Sequence, residues 1–312
     1  MGVIDFHMHF VGRVFFETLA AQSPLAGDVA ARLAGVVERT GIELPDADVE
    51  SHARRWLAEA DAHGVERLCA FASVPEEIPS LARAAKASDG RIVPFALVNP
   101  TVDGVAEKVR GLIAEQGFGG VLLFPAMHHY HIGDERCAAL LSVLNEAGAV
   151  CFVHCGVLVV KLRDLLGLPR PMDLAYANPL AIVPAANRNP HAHFVIPHFG
   201  AGFLREALMA GAQCANVHVD TSSSNGWRAT QAEPISLAQV FERALGVFGP
   251  ERILFGTDSN VFPAGWRADR LAEQRAALSE ADADEADIAL VLGGNAQRLL
   301  DGVRRGAAWS KS

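Results

Sequence analysis

The stretch Ala149-Val150-Cys151-Phe152-Val153-His154 is continuously apolar and ends on one polar residue. A half-exposed strand alternates polar and apolar residues, whereas a parallel strand that is buried on both faces is apolar throughout. Residues 149–154 therefore predict a buried parallel strand. Seven other short apolar runs resemble it, and the complete set of predicted strands is 3–10, 65–72, 91–98, 119–125, 149–154, 193–198, 216–221 and 253–258.

The segments between these runs carry the periodicity of amphipathic helices. Asp134 precedes one apolar stripe at helical spacing, and Gly148 follows it as a glycine that ends the helix. Residues 103–116 and 236–246 are predicted helices for the same reason. Strand–helix units repeated eight times predict an α/β fold, a (β/α)8 TIM barrel, which typically needs about 250 residues. We expect residues 1–312 to form one domain.

Two segments are longer than a strand–helix connection requires. They are residues 11–45, after the first predicted strand, and residues 156–190, after the fifth. Both follow the carboxyl end of a strand, which is the face where barrel enzymes build their sites. We interpret them as insertions that form a lid or a pocket wall, with surface decoration as the alternative.

Composition narrows the class of protein. The formal net charge is -9, without a run of Lys or Arg, which argues against nucleic acid and against an anionic membrane surface as partners. The five cysteines are irregularly spaced and indicate reduced thiols in a cytosol. No segment offers the roughly 20 uninterrupted apolar residues of a membrane span. We expect a cytoplasmic protein that acts on a small molecule, with a homodimer as the prior for its assembly.

Two histidines occupy alternate positions at the end of the first predicted strand. Residues two apart in a strand point the same way, so His7 and His9 are predicted to face the barrel interior and Met8 the helices. Two imidazoles on one face can share a metal ion at about 2.0–2.1 Å per bond. His191 and His193 form a similar pair, but at the amino-terminal edge of a strand, and we interpret them as structural or exposed.

Three other polar residues end predicted strands. They are His154, His198 and Asp258, on the fifth, sixth and eighth runs. The carboxyl ends of barrel strands meet at one rim, so these residues are predicted to converge with the first histidine pair. Buried imidazoles without a metal or a hydrogen-bond partner would cost several kcal/mol. The set therefore predicts a site for metal binding or proton transfer.

This ordered set resembles the amidohydrolase superfamily, specifically its amidohydrolase-2 branch of hydrolases, lactonases, hydratases and non-oxidative decarboxylases. Residues 294–300 are similar to the closing helix of that branch. The resemblance implies that His198 stands beside the activated water as a proton carrier or electrophile, and that either His198 or Asp258 takes the proton of that water. It also implies four metal ligands: His7, His9, His154 and Asp258.

The donor set indicates which metal the site would hold, and the fourth strand indicates how many ions. Imidazoles with one carboxylate suit zinc, with manganese as the alternative because a carboxylate is present. Relatives with two metals carry a bridging lysine at the end of the fourth strand, and residues 120–125 contain none. We therefore expect one divalent metal ion. Many members of the branch have a histidine where this chain has Phe124, which predicts a more apolar pocket wall.

Loop residues supply further candidates for contact with a substrate. A solvated surface position is the simpler interpretation of each one alone. The loop candidates are His128, His129, His131, Arg13, Lys161, Arg163 and Arg228.

The seventh strand also carries polar residues. His218 and Asp220 share one of its faces, and Ser222 lies beyond its end. A hydrogen-bonding role at the rim is compatible with these residues but not required by the sequence.

The predicted function is that of a hydrolase, in which activated water attacks an ester, lactone or amide. The alternative is a non-oxidative decarboxylase of an aromatic or unsaturated carboxylic acid, in which the metal and an arginine hold the substrate while His198 or Asp258 protonates the carbon. The third hypothesis is a metal-independent lactonase or a binding module.

Overall fold

The computed structural model describes residues 2–222 and 225–306. Within them, parallel strands pair in chain order into one eight-stranded sheet, and helices follow the strands. This architecture confirms the predicted (β/α)8 barrel. The strands are β1 (Val3–His9), β2 (Val65–Phe71), β3 (Ile92–Leu97), β4 (Gly120–Leu123), β5 (Val150–Val153), β6 (His193–Ile196), β7 (Val217–Asp220) and β8 (Ile253–Leu254).

The helices lie between the strands and in the two insertions. They are α1 (Arg13–Gln22), α2 (Val29–Thr40), α3 (Val49–Ala62), α4 (Ile78–Ala87), α5 (Val105–Gln116), α6 (Pro125–His128), α7 (Ala138–Ala147), α8 (Lys161–Leu165), α9 (Ile182–Arg188), α10 (Leu204–Gln213), α11 (Leu237–Phe248), α12 (Ala268–Glu280), α13 (Glu285–Ala289) and α14 (Asn295–Gly302). Short 3-10 turns cover Pro75–Glu77, Glu135–Cys137, Leu174–Tyr176, Pro179–Ala181, Pro197–Gly200, Gly226–Thr230 and Pro250–Arg252, and a π-turn covers Leu290–Gly294. None of the helices in the described ranges combines the length and apolar composition that crossing a membrane requires.

The predicted helices are confirmed with small shifts at their ends. A 3-10 turn starts the segment after Asp134, α7 follows, and Gly148 ends it in the left-handed conformation at φ 61°. The helix predicted for residues 236–246 is α11. Ser236 caps it by accepting from the backbone of Gln239, whose side chain accepts in return from the Ser236 backbone.

Every predicted strand is present but shorter than its apolar run. The largest difference is at residues 253–258, where β8 ends at Leu254 and Asp258 has a φ of 60°. Likewise β6 ends at Ile196, and His198 has a φ of 56°. A left-handed residue cannot continue a strand. Both candidate site residues therefore lie in loops just beyond their strands.

The barrel closes between its first strand and the loop after its last. The backbone N–H of Phe6 donates to Phe255 O at 2.9 Å, and that of Asp258 donates to His7 O at 2.8 Å. His9 N–H donates to Ser259 O at 2.8 Å. Because β8 has only two residues, these loop contacts complete the ring of strands and fix Asp258 next to the first histidine pair.

Aromatic side chains fill the lower barrel interior. Phe71 and Phe152 have ring centroids 4.8 Å apart, and Phe95 lies 5.5 Å from Phe71. Phe6 packs 5.4 Å from Phe152. A barrel interior is a packed core and not a pore, so space for a ligand remains only at the rim.

The two insertions pack against each other above that rim. Phe16, Leu19 and Leu33 of the first insertion share one buried hydrophobic cluster with Leu162 and Leu166 of the second. The contact holds both segments over the carboxyl ends of the strands. The insertions therefore form walls on this side of the barrel, in agreement with the predicted wall-forming role.

Candidate metal and active site

A cavity of about 600 Å³ opens on the rim at the carboxyl ends of the strands. Its lining includes His9, His154, His198 and Asp258, which lie at or just beyond the carboxyl ends of their strands. Both insertions contribute walls, through residues such as Phe15, Phe16, Leu19, Leu158 and Val160. Four of the five predicted site residues thus line one concave space of the size that small-molecule ligands occupy, and the fifth, His7, is buried and does not line it.

His7, His9 and Asp258 form one compact group. Asp258 Oδ1 lies 3.7 Å from His7 Nε2 and 3.5 Å from His9 Nε2. The ligand atoms of the three residues all lie within 4.8 Å of one another. His7 Nε2 is buried without a hydrogen-bond partner among the described residues. Two imidazole nitrogens and a carboxylate oxygen in this arrangement suit a divalent cation.

An irregularity in β1 orients the first histidine. Asp5 pairs with Leu68 and Met8 with Ala70, so three residue steps on β1 match two on β2. Phe6 lies in the barrel interior, and strict alternation would turn His7 outward. The extra residue instead allows His7 to face the interior as well, with its ring 4.7 Å from that of Phe71.

Asp220, at the end of β7, orients this histidine. His7 Nδ1 donates to Asp220 Oδ2 at 2.7 Å. Asp220 Oδ1 accepts from the backbone N–H groups of His198 and Ser222, both at 2.9 Å, and from the Ser222 hydroxyl. His7, His198 and Asp220 are also close enough to hold a metal. Because Oδ2 is held by His7 Nδ1–H and Oδ1 accepts three other donors, we assign Asp220 to the orientation of His7.

Two residues that the sequence did not single out hold the second histidine. His9 Nδ1 lies 2.9 Å from Ser73 Oγ. Glu77, which is fully buried, accepts from the backbone N–H of Ser73 at 2.7 Å and from that of Gly12. Glu77 follows Pro75-Glu76 and has the pattern of an ordinary first helical turn. No local signal distinguishes it from a surface glutamate.

His154 belongs to neither compact group. Its ring stacks on Phe124 at 5.1 Å and 29° and lies 5.3 Å from the ring of His198. Both ring nitrogens are buried, and neither has a hydrogen-bond partner in the described part of the chain. Leaving such atoms unpaired costs about 1–3 kcal/mol each, which a bound metal or substrate would relieve. The residue therefore fits a ligand role, although the structure places it at the edge of the cluster.

Burial keeps most of these imidazoles neutral. It lowers the pKa of His9 to about 4 and that of His154 well below its ordinary value. Burial also lowers the pKa of His198, and the nearby His7 reinforces the effect. Burial by itself would lower the pKa of His7 too, but the Asp220 carboxylate outweighs it and raises that pKa. Neutral imidazoles are the form that binds metals.

The backbone at two of the site residues is unusual. His198 and Asp258 are both non-glycine residues in the left-handed region. This conformation costs of order 1–3 kcal/mol per residue and is concentrated at functional sites. The hydrogen bonds from His198 N–H to Asp220 and from Asp258 N–H to His7 O hold the two turns in place.

Three of the loop candidates reach the cavity. His128, Lys161 and Arg163 line it, and His128 Nδ1 is buried without a partner in the described ranges. Arg163 also donates from Nε to Pro169 O at 3.0 Å. Lys161 and Arg163 lie on α8, so both cations approach from the second insertion.

The other candidates do not contribute to the cavity wall. Arg13 pairs with Glu17 at 2.8 Å, and Arg228 donates to backbone oxygens of its own loop. His129 lies 2.7 Å from Pro171 O, and the ring of the exposed His131 packs on Tyr176. Their positions agree with the simpler interpretation that each is a surface residue.

The second His-x-His pair lies away from the cavity. His193 is the first residue of β6, and its Nδ1 lies 3.2 Å from His218 Nε2 in the lower barrel. His191 is exposed. Both positions agree with the predicted structural or exposed roles.

A family model described as amidohydrolase matches residues 4–302. The chain belongs to the amidohydrolase family, in its amidohydrolase-2 branch. This confirms the predicted resemblance over nearly the whole sequence. No curated protein matches this amidohydrolase significantly in sequence.

Solved structures share the fold of this amidohydrolase. The 5-carboxyvanillate decarboxylase of Sphingomonas paucimobilis is 14% identical, with a TM-score of 0.63 and coverage of 97% of this chain and 99% of that one. A 5-carboxyvanillate decarboxylase of Novosphingobium aromaticivorans, in complex with manganese and a nitrobenzoic acid, is 15% identical at a TM-score of 0.63, covering 96% of both chains. A protein of Acinetobacter baumannii described as a probable 2-pyrone-4,6-dicarboxylic acid hydrolase is 15% identical at 0.60, covering 96% and 100%. At these identities the likeness shows the fold, and both reaction types occur on it.

Proposed function

We propose that this amidohydrolase is a metal-dependent hydrolase that cleaves an ester, lactone or amide of a small molecule. The observation that carries the proposal is the composition of the cavity. His9, His154, His198 and Asp258 line it from the strand ends, while the cationic residues among the described lining, Lys161 and Arg163, lie on α8 of the second insertion. A neutral scissile group needs no Lys or Arg beside the metal ligands, whereas the decarboxylase alternative needs such a side chain, in addition to the metal, to hold the carboxylate.

The proposed metal ligands are those that the resemblance implies. They are His7, His9, His154 and Asp258, and they would hold one divalent ion. A donor set of imidazoles and one carboxylate favours zinc, with manganese as the alternative. When bound, the ion would lower the pKa of a water molecule and polarise a carbonyl group. β4 and Phe124 offer no lysine or glutamate for a second ion.

Two side chains would handle the proton of the attacking water. His198 lines the cavity, and its Nδ1 is held by Ser222 Oγ at 2.8 Å, which leaves Nε2 for the reacting groups. His198 would take the proton and return it to the leaving group. Asp258 reaches the first histidine pair through Oδ1, so its other oxygen is a second acceptor for that proton.

The walls of the cavity support a substrate with an apolar body. Its apolar lining includes Phe15, Phe16, Leu19, Phe124 and Leu158. Burying apolar surface contributes about 25 cal/mol per Å², so an alkyl or aryl group would gain most of its affinity there. We therefore propose an ester, lactone or amide with a hydrophobic acyl or aryl portion.

Decarboxylation is the second candidate, and one observation favours it. Lys161 and Arg163 both line the cavity, and either could hold a substrate carboxylate. If the enzyme is a decarboxylase, Lys161→Met should lower turnover of aromatic acids strongly. Under hydrolysis of a neutral substrate, the same change should leave kcat within about twofold of the wild type, because surface charges outside the reacting centre contribute little.

The experiment starts with protein purified without added metal or chelator. Elemental mass spectrometry measures its metal content, and aryl esters, lactones, amides and aromatic acids are screened for acid release and for carbon dioxide release. His154→Ala and Asp258→Asn are the test variants, and His191→Ala is the matched control because this histidine is exposed and remote from the cavity.

We expect near one zinc or manganese per chain, its loss in both test variants, and acid release that stops with a chelator and returns with metal. Carbon dioxide release without hydrolysis would replace the proposal by decarboxylation. Turnover that persists in chelator would identify a metal-independent lactonase. A folded protein without metal or turnover would indicate a binding module.

A further inference from the structure

Ser222 lies between two groups of the candidate site and contacts both. Its hydroxyl oxygen is 2.8 Å from His198 Nδ1 and also contacts Asp220 Oδ1. The side chain is fully buried and does not line the cavity. In a Ser-His-Asp nucleophile system, histidine lies between serine and the acid, and serine faces the substrate. Here serine is the middle member, so it is not a nucleophile.

The direction of these hydrogen bonds follows from the surroundings of Asp220. Oδ1 accepts the backbone N–H groups of His198 and Ser222, both at 2.9 Å, and Oδ2 faces His7 Nδ1 at 2.7 Å. A backbone amide can only donate. Two amide protons therefore already point at Oδ1 and leave no place for a carboxyl proton. In its contact with Asp220, the Ser222 hydroxyl must be the donor.

The same reasoning assigns the proton on the imidazole. A hydroxyl has one proton, and that of Ser222 is directed at Asp220. In the contact with His198, Ser222 Oγ must therefore accept, so His198 Nδ1 carries the proton. A neutral imidazole carries only one, which leaves the lone pair on Nε2. Nε2 is the nitrogen on the far side of the ring from Ser222, and the ring lines the cavity.

We propose that Ser222 is a positioning residue that fixes His198 as a proton acceptor at Nε2. This inference rests on the proposed hydrolase. In the reaction, the oxygen of a water molecule bonds to the carbonyl carbon while one of its protons moves to Nε2. The bond from that carbon to the leaving group then breaks, and the proton passes from Nε2 to the leaving group. Nδ1 keeps its own proton, and the charge of Asp220 stabilises the imidazolium through Ser222.

The assignment separates the roles that His198 could have in the two candidate reactions. Hydrolysis needs a base at the start, which the Nδ1–H form of His198 supplies. Decarboxylation needs an acid that gives a proton to carbon, and neutral His198 in this form has no proton on the cavity side. The hydrogen bonds around Ser222 therefore favour a role for His198 in hydrolysis, where it acts as the base.

Nuclear magnetic resonance tests the proposal directly. Long-range proton–nitrogen spectra of the full chain, labelled with 15N-histidine and recorded with and without zinc, report which ring nitrogen of His198 carries the proton. His198→Gln assigns the signals. We expect the Nδ1–H form in the wild type and in Ser222→Thr, and a shift toward Nε2–H in Ser222→Ala. Circular dichroism checks that each variant is folded.

Kinetics gives a second readout. On a hydrolysed substrate, Ser222→Ala should lower kcat about 10- to 100-fold with little change in KM, as for other residues that orient a functional group, and Ser222→Thr should restore it. An Nε2–H wild type, or an unchanged tautomer in folded Ser222→Ala, would overturn the proposal. Should Ser222→Ala not fold, the wild-type spectrum still decides. Absence of any hydrolysis would contradict the proposed function and leave the tautomer measurable, so the two failures are distinguishable.

Discussion

His7 Nδ1 donates to Asp220 Oδ2 at 2.7 Å, and both side chains are buried. The bond fixes the tautomer of His7, because a neutral imidazole that donates from Nδ1 keeps its lone pair on Nε2. That atom lies 3.7 Å from Asp258 Oδ1 and has no hydrogen-bond partner among the described residues. In the proposed metal site, Asp220 would therefore orient His7 for metal binding through Nε2.

Asp220→Asn should weaken metal binding by about 10- to 100-fold, the usual effect of removing an acceptor that orients a ligand histidine. The asparagine amide would point a donor at groups that themselves donate. Competition with a fluorescent zinc chelator measures the affinity. Asp103→Asn, on an exposed loop, is the control and should bind like the wild type. Equal affinities in the two variants would remove Asp220 from the metal site.

His154 offers a sharper test of the ligand set, since it lies outside both compact groups. His154→Ala should reduce the metal content well below one ion per chain, because its two unpaired nitrogens suit a ligand. His128→Ala removes another cavity histidine and should keep the metal. Elemental mass spectrometry measures the metal content of both variants. Full metal content in His154→Ala would reduce the set to His7, His9 and Asp258.

Phe124 should determine how well apolar substrates bind. Phe124→Ala removes a wall of the cavity, and we expect KM for an aryl ester to rise about tenfold, which corresponds to about 1.4 kcal/mol of lost apolar contact. Leu25→Ala removes an exposed apolar residue outside the cavity and serves as the control. Steady-state kinetics on alkyl and aryl esters measures the effect. An unchanged KM would place the substrate away from β4.

Glu77 should make stability depend on pH. Burial raises its pKa to about 7 from an ordinary 4.5, although hydrogen bonds from Ser73 and Gly12 oppose the shift. Between these values the folded protein keeps a proton that the unfolded chain has released. The stability that protonated Glu77 contributes is therefore fully present below pH 4.5 and is lost as pH rises to 7. Over this range the free energy of unfolding should fall by about 3 kcal/mol.

Glu77→Gln keeps an acceptor oxygen and cannot ionise. Relative to this variant, the free energy of unfolding of the wild type should fall between pH 4.5 and pH 7.5, as measured by urea titration at each pH. Glu76→Gln, at the exposed neighbouring position, should follow the wild type. Parallel curves for the wild type and Glu77→Gln would show that Glu77 has an ordinary pKa in the folded protein.

Much of the fold could be predicted because its signals are local. The parallel strands are largely buried on both faces, so the runs that contain them are mostly apolar, and each predicted run contains one strand. Strand ends were predicted less well. The runs continue to His198 and Asp258, but the backbone turns left-handed at both residues, and hydrogen bonds to distant parts of the barrel hold those turns. Assembly into a homodimer, a single domain and a cytoplasmic location stay predictions.

The sequence by itself determined which residues gather at the rim: His7, His9, His154, His198 and Asp258 all lie in the last part of an apolar run, and barrel topology brings strand ends together. Only the tertiary structure decided how they are used. The pairing of His7 with Asp220 joins residues 213 positions apart. The bulge in β1, the contact of Glu77 with Gly12 and the stacking of Phe124 on His154 likewise depend on register between separate strands and loops. Periodicity reports which face a side chain occupies, whereas a hydrogen bond requires positions within a few tenths of an ångström, which packing of the whole barrel sets.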